Sequence, residues 1–137
     1  MRPFHLALPV SDLSQVKEFY GNILGCKFGR KDKNWIDIDF YGHQLVFHQD
    51  KSYKPNNIAN HVDGKNIRVP HFGLVMELSD WHILANKLQN HKLEFIIDPY
   101  VRFKGEKGEQ ATMFFLDPND YAIEIKAFKN DKMLFEK

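Results

Sequence analysis

Cysteine occurs once in 137 residues, at Cys26. That excludes an intramolecular disulfide and a cysteine-built metal cluster, and it points to a reducing cytoplasm. Long apolar runs are missing as well. No stretch approaches the ~18 residues of a spanning helix, and the opening around Phe4 is interrupted by Pro3, His5, Pro9 and Asp12 before a signal-peptide core can form. A soluble, unprocessed protein with no membrane partner is expected. Charge of one sign is equally scarce: 19 Lys+Arg stand against 18 Asp+Glu, a net +1. There is no basic surplus to hold a nucleic-acid backbone and no acidic surplus for a solvating tail. A glycine-rich phosphate loop is lacking too, because Gly105 and Gly108 have no strand-to-helix setting.

What the chain does contain is a globular composition, 43% hydrophobic with 12 Phe, and seven histidines. Its length predicts one domain over 1–137, or two half-sized units around a shared core. Phe4, Leu6 and Leu8 alternate with His5 and Ala7, which predicts a strand. Leu13, Val16, Phe19, Tyr20, Ile23 and Leu24 then recur at spacings of three and four. With Ser11 or Asp12 as N-cap and Gly25 as C′, they predict a helix over 13–24. Short strands follow at 26–28, 35–40 and 44–48, the last two joined by a turn at Tyr41-Gly42-His43. Residues 50–69 read as an exposed connector, unusually long unless it covers something. The same grammar then restarts. A strand at 71–76, a helix capped by Ser79 or Asp80 and running from Trp81 to about Asn90, and a strand at 93–97 lead to a charged, glycine-bearing loop over 99–110. Two further strands, 111–116 and 121–127, flank the turn Asp117-Pro118-Asn119-Asp120.

The two halves therefore read as an internal repeat, approximately 3–49 and 70–128. Each opens with a histidine on a strand, His5 and His71, and the closing strands align Leu45–His48 with Tyr121–Glu124. If Leu6, Phe47, Leu74 and Ile123 face the core, alternation sends His5, His48, His71 and Glu124 to the opposite faces of their strands. Side chains on neighbouring strands are close enough to share one cation. The fold class predicted is α+β, built from tandem βαβββ modules.

Paired βαβββ modules with these histidines and a carboxylate on the final strand resemble the vicinal oxygen chelate superfamily. It includes glyoxalase I, type I extradiol dioxygenases, fosfomycin-resistance transferases and bleomycin-resistance binding proteins. The resemblance covers about residues 3–127 and implies a glyoxalase-like fold in which the modules form a curved mixed sheet around a metal-binding cleft. It implies that His5, His71 and Glu124 are metal ligands, with His48 either the fourth ligand or a catalytic acid/base. Residues 99–128 further resemble small predicted extradiol dioxygenases.

Two histidines and a carboxylate suit Fe(II) or Mn(II), and Zn(II) or Ni(II) if His48 also binds. The expected activity is that of a metal-dependent, extradiol-dioxygenase-like enzyme acting on a small aromatic diol or hydroxycarbonyl compound chelated through vicinal oxygens. Two alternatives stay open, a glyoxalase I-type lyase of a thiol adduct and a non-enzymatic binding protein of the bleomycin-resistance type. In the 99–110 segment and the strand after it, Tyr100, Arg102, Gln110 and Thr112 are candidate substrate-binding residues, Arg102 through a bidentate contact with an anionic group. The expected partners are a small molecule and a second copy in a homodimer. His43, His61, His82 and His91 are read as solvated.

Overall fold

The structure, a computed structural model, describes residues 2–56, 58–62 and 64–135; residue 1, residues 57 and 63 of the connector and 136–137 of the tail lie outside them. The chain divides into two compact units, Met1–Pro55 and Asn56–Lys137. Among the described residues, no helix is long and apolar enough to cross a membrane.

The first unit contains β1 (His5–Val10), α1 (Leu13–Val16) continued by a π-helical stretch (Lys17–Ile23), β2 (Lys27–Asp32), β3 (Trp35–Phe40) and β4 (His43–Gln49). The sheet order is β1-β4-β3-β2, with β1 parallel to β4 and the other pairs antiparallel. Ile36, Ile38, Phe40, Leu45 and Phe47 are buried together with Val16, Phe19, Tyr20 and Leu24 of the helical segment. The Tyr20 and Phe47 rings lie 4.9 Å apart. Asp12 is the N-cap; its Oδ1 accepts from the Ser14 amide at 2.8 Å, and the Ser14 hydroxyl and amide hold its carboxyl below the usual carboxylate range.

The helix over 13–24 departs from α geometry after Val16. The Leu24 amide bonds back five residues, to the Phe19 carbonyl at 2.9 Å. A Cβ at Gly21 would meet the Phe28 ring at 2.8 Å, so the widened turn sits where an absent side chain admits that ring. Gly25, at φ +78°, ends the segment as expected. Tyr41 and Gly42, both at positive φ between the paired Phe40 and His43, make the two-residue hairpin loop that matches strand twist.

The second unit contains β5 (Ala59–Val62), β6 (Lys65–Arg68), β7 (His71–Met76), α2 (Leu78–Asn90), β8 (Phe95–Arg102), β9 (Gln110–Leu116), β10 (Ala122–Phe128) and a 3-10 turn (Asp131–Phe135). Its main sheet has the order β7-β10-β9-β8, again with the first pair parallel. Each unit thus carries one βαβββ motif, and the α+β class holds, with two four-stranded mixed sheets. Met113, Phe115, Ile123 and Ile125 are buried with Trp81, Leu84 and Leu88 of α2. The Trp81 indole donates to the Ile125 carbonyl at 2.9 Å, tying helix to sheet.

Three expectations are corrected in this unit. The connector is not uniformly irregular, because β5 (59–62) and β6 (65–68) pair as an antiparallel hairpin. Helix α2 starts at Leu78 with Glu77 as N-cap, ahead of Ser79 and Asp80. The loop expected over 99–110 is shorter: β8 runs on through the β-favouring Tyr100 and Val101 to Arg102, all paired with β9.

The turn between β9 and β10 is organised by buried Asp117. Its Oδ1 accepts from the Asn119 amide at 2.8 Å and from the Tyr121 amide at 2.9 Å. Asp117→Ala leaves two amides without their acceptor and is expected to cost about 2 kcal/mol. Urea unfolding would read this as a lower midpoint with an unchanged slope; an unshifted midpoint would remove Asp117 from the account of this turn.

Candidate functional site

In the first unit, pairing of β4 with β1 and β3 puts His5, Gln44, Val46, His48 and Asp37 on one face of the sheet, away from Leu45 and Phe47. The predicted parity of His5 and His48 therefore holds. His5 Nδ1 lies 2.8 Å from Gln44 Oε1, and Gln44 Nε2 donates to Asp37 Oδ2 at 3.4 Å. Arg30 Nε is 3.6 Å from the same carboxylate oxygen, which balances a nearly buried charge. An amide oxygen only accepts, so Nδ1 carries the proton and Nε2 is left with the lone pair. A groove of about 300 Å³ opens beside this network at Pro3, Asp39 and Gln44.

The second unit repeats the device with different parts. His71 Nδ1 lies 2.8 Å from the Arg68 carbonyl, again fixing the proton on Nδ1 and freeing Nε2. The imidazole stands edge-on to Phe114, with ring centres 5.2 Å apart. His71 Nε2 is 3.6 Å from Glu124 Oε2, while Glu124 Oε1 accepts from the Thr112 hydroxyl at 2.9 Å. Two donors each ~2.1 Å from a shared cation sit at nearly this separation. Lys126 Nζ lies 3.4 Å from the same Glu124 Oε2 and pairs with it. Among the described residues, no three His, Cys, Asp or Glu side chains are gathered as a metal cluster. The donor chemistry within each unit nevertheless fits a divalent ion: imidazole nitrogens with free lone pairs, backed by hydrogen bonds that hold ring and tautomer, and a carboxylate oriented by a hydroxyl.

Strand register corrects the alignment of the closing strands. His5 pairs with Gln44 and Ala7 with Val46, whereas His71 pairs with Ala122 and Gly73 with Glu124. The counterpart of Glu124 is thus Val46, and His48, opposite Pro9, corresponds to Lys126, opposite Val75. His48 is four residues beyond Gln44 on β4, ~13 Å along the strand.

The remaining candidates separate into two groups. Thr112 reaches Glu124 directly. Tyr100 pairs with Thr112, and Lys65 Nζ from the β5–β6 hairpin lies 4.6 Å from its ring centre. Arg102 and Gln110 pair with each other at the far end of the β8–β9 ladder, where the guanidinium lies over the Phe103 ring. The segment that lies over the face bearing His71 and Glu124 is the hairpin: Ile67 packs on Ile97, Phe114 and Ala122, beside Tyr100 and Leu116. Sequence reasoning passed over Gln44, Asp37 and Lys126. Gln44 and Lys126 share the parity of the candidate ligands, the one signal that would have found them. Of the other histidines, His43 is not free, since its Nδ1 accepts from the Phe4 amide at 3.0 Å.

Comparison with known proteins places these features in context. Residues 2–125 match the family model described as Glyoxalase/Bleomycin resistance protein/Dioxygenase superfamily. A glyoxalase/bleomycin resistance protein/dioxygenase from Alicyclobacillus acidocaldarius is 30% identical, with a TM-score of 0.77 over 97% of this chain and 96% of that one. Two more distant structures share the fold. The fosfomycin resistance protein FosX from Listeria monocytogenes has 16% identity and a TM-score of 0.67 over 94% of this chain and 93% of that one. A lactoylglutathione lyase from Agrobacterium tumefaciens has 13% identity and a TM-score of 0.63 over 98% and 96%. No curated protein matches the chain.

Proposed function

Since the chain belongs to the glyoxalase/bleomycin resistance protein/dioxygenase superfamily, we propose that it is a divalent-metal-dependent enzyme acting on a small compound with vicinal oxygens. His71 and Glu124 hold the cation together with His5, which comes from the same chain or from a second copy in a homodimer. Fe(II) or Mn(II) is the ion these donors favour, ahead of Zn(II) or Ni(II). The observation that carries this reading is the His71–Glu124 pair, with Nε2 3.6 Å from a carboxylate oxygen.

The bound cation supplies Lewis acidity that lowers the pKa of a coordinated hydroxyl. The chain's own groups do the rest. Gln44 and the Arg68 carbonyl hold the two imidazoles by Nδ1, and Thr112 orients Glu124. His48, exposed on the His5 face, moves a proton to or from the substrate. Its place along β4, four residues beyond the partner of His5, counts against a fourth ligand.

Val46 at the register of Glu124 favours three protein ligands and so favours the extradiol-dioxygenase-like reading over a glyoxalase I-type lyase. Three protein ligands would leave positions open on such an ion for a chelating diol. The test is oxygen uptake with a catechol panel after anaerobic loading with each of the four ions. Uptake with Fe(II) or Mn(II) is expected, and His48→Ala should retain the ion while losing about 100-fold in turnover. Oxygen-independent turnover of a thiol adduct would instead establish the lyase. Ligand affinity that survives chelation, without turnover of any substrate, would establish a binding protein.

A further inference from the structure

The two histidines assigned to the cation are held by acceptors of different kinds. His71 gives its Nδ1 proton to the Arg68 carbonyl at 2.8 Å, a backbone oxygen with no donor to exchange for it. His5 faces instead the side-chain amide of Gln44, whose Oε1 lies 2.8 Å from its Nδ1. An amide turned over presents NH2 where its oxygen was, and the imidazole nitrogen must then accept rather than donate. The proton would pass to Nε2, and the lone pair there would be lost. The first unit therefore needs a group that holds the amide one way round, and the second does not.

Asp37 is placed to be that group. Gln44 Nε2 donates to Asp37 Oδ2 at 3.4 Å, and a carboxylate oxygen only accepts, so the reversed amide would set oxygen against oxygen. The carboxylate is itself built into the sheet. Asp37 is only 9% exposed and pairs with Val46 of β4. On its other side the register of β2 against β3 shifts between Phe28 and Lys31, and Arg30, from that irregular stretch, brings Nε to 3.6 Å from the same Oδ2. Gly29 permits the close approach, since a Cβ there would already lie 3.1 Å from the Asp37 Cβ. We infer that Asp37 is a positioning residue that selects the tautomer of His5, acting through Gln44. What this does for the cation rests on the proposed function; the tautomer is read without any metal.

The test is long-range proton–nitrogen NMR of the metal-free full chain at about pH 8.5, where imidazoles are neutral, with His5→Gln identifying the His5 signals. The wild-type ring is expected to carry its proton on Nδ1. Asp37→Asn offers Gln44 a donor as well as an acceptor, and should shift His5 to a mixture of both tautomers. The double variant Asp37→Asn/Gln44→Glu reverses the polarity of the contact, with an acceptor at 44 and a donor at 37, and should return the ring to the Nδ1–H form. General loosening of the sheet would not be repaired by that exchange, so a double variant that stays mixed overturns the inference. An Nε2–H wild type, or pure Nδ1–H in Asp37→Asn, overturns it as well. Mn(II) titration of the same proteins addresses the reading beneath, with affinity expected to fall about tenfold in Asp37→Asn and to recover in the double variant. A tautomer that shifts and recovers while Mn(II) affinity never changes supports the selection by Asp37 and removes His5 from the cation. If Asp37→Asn fails to fold, Asp37→Ser decides by the same spectrum, its hydroxyl being too short to reach Gln44: a mixture supports the inference and an unshifted tautomer ends it.

Discussion

Gly73→Ala is expected to lower Tm by roughly 10 °C and to abolish divalent-metal binding. Gly73 sits on β7 opposite Glu124 of β10 in the parallel register. A Cβ built there would lie inside the Glu124 carbonyl oxygen and only 2.6 Å from its carbonyl carbon. The obstacle is strand backbone, which cannot rotate aside as a flexible side chain would. The strands must therefore separate where His71 and Glu124 meet. Overpacking of this kind costs at least about 3 kcal/mol, equivalent to roughly 10 °C for a chain of this size. Ala7 occupies the matching register of the first sheet, opposite Val46, and there a methyl group is accommodated. Ala7→Gly thus serves as the control, with loss of well under half that stability. A Gly73→Ala protein that melts within about 2 °C of wild type and binds Mn(II) normally would refute both the packing argument and its link to the metal.

His71→Ala and Glu124→Gln should each weaken Mn(II) binding at least about 100-fold, with little change in stability. Substitution of groups that merely orient ligands already costs 10–100-fold, and these two residues are assigned to the cation itself. Both lie on the sheet face away from Ile123 and Ile125, so their loss opens no cavity in the core beneath α2. Glu124→Gln is the sharper variant. It keeps an oxygen for the Thr112 hydroxyl while removing the charge, so a large effect isolates the anion from the shape of the side chain. Competition with a chromophoric chelator reads the affinities. Wild-type affinity in either variant would dissociate that residue from the ion.

The parts of this protein readable from sequence were those governed by local periodicity. Alternation located β1, β3, β4, β7 and β10 and assigned His5, His48, His71 and Glu124 to one side of their strands, because a pleat admits only two directions. The spacing from Leu13 to Leu24 found the first helical segment, but its π character depends on Phe28 meeting Gly21, a contact between elements that no period encodes. Register was illegible for a related reason. Aligning the ends of β4 and β10 by their chemistry paired His48 with Glu124. Backbone hydrogen bonding pairs Val46 with Glu124 instead, one full pleat away. The β5–β6 hairpin escaped notice because Asn60, His61, Lys65 and Asn66 lack the apolar alternation of a half-buried strand, and its one anchoring residue, Ile67, reveals itself only against Ile97 and Phe114.

The alternation in both sheets separates the residues available for chemistry from those that maintain the fold. Exchanges at positions 44, 48, 124 or 126 alter what a sheet face presents while Phe47, Ile123 and Ile125 stay undisturbed behind it. Duplicated halves built this way are free to diverge in reactivity one residue at a time. The mismatch between Val46 and Glu124, and between His48 and Lys126, is the trace such unequal histories leave in a scaffold whose two copies still fold by the same rules.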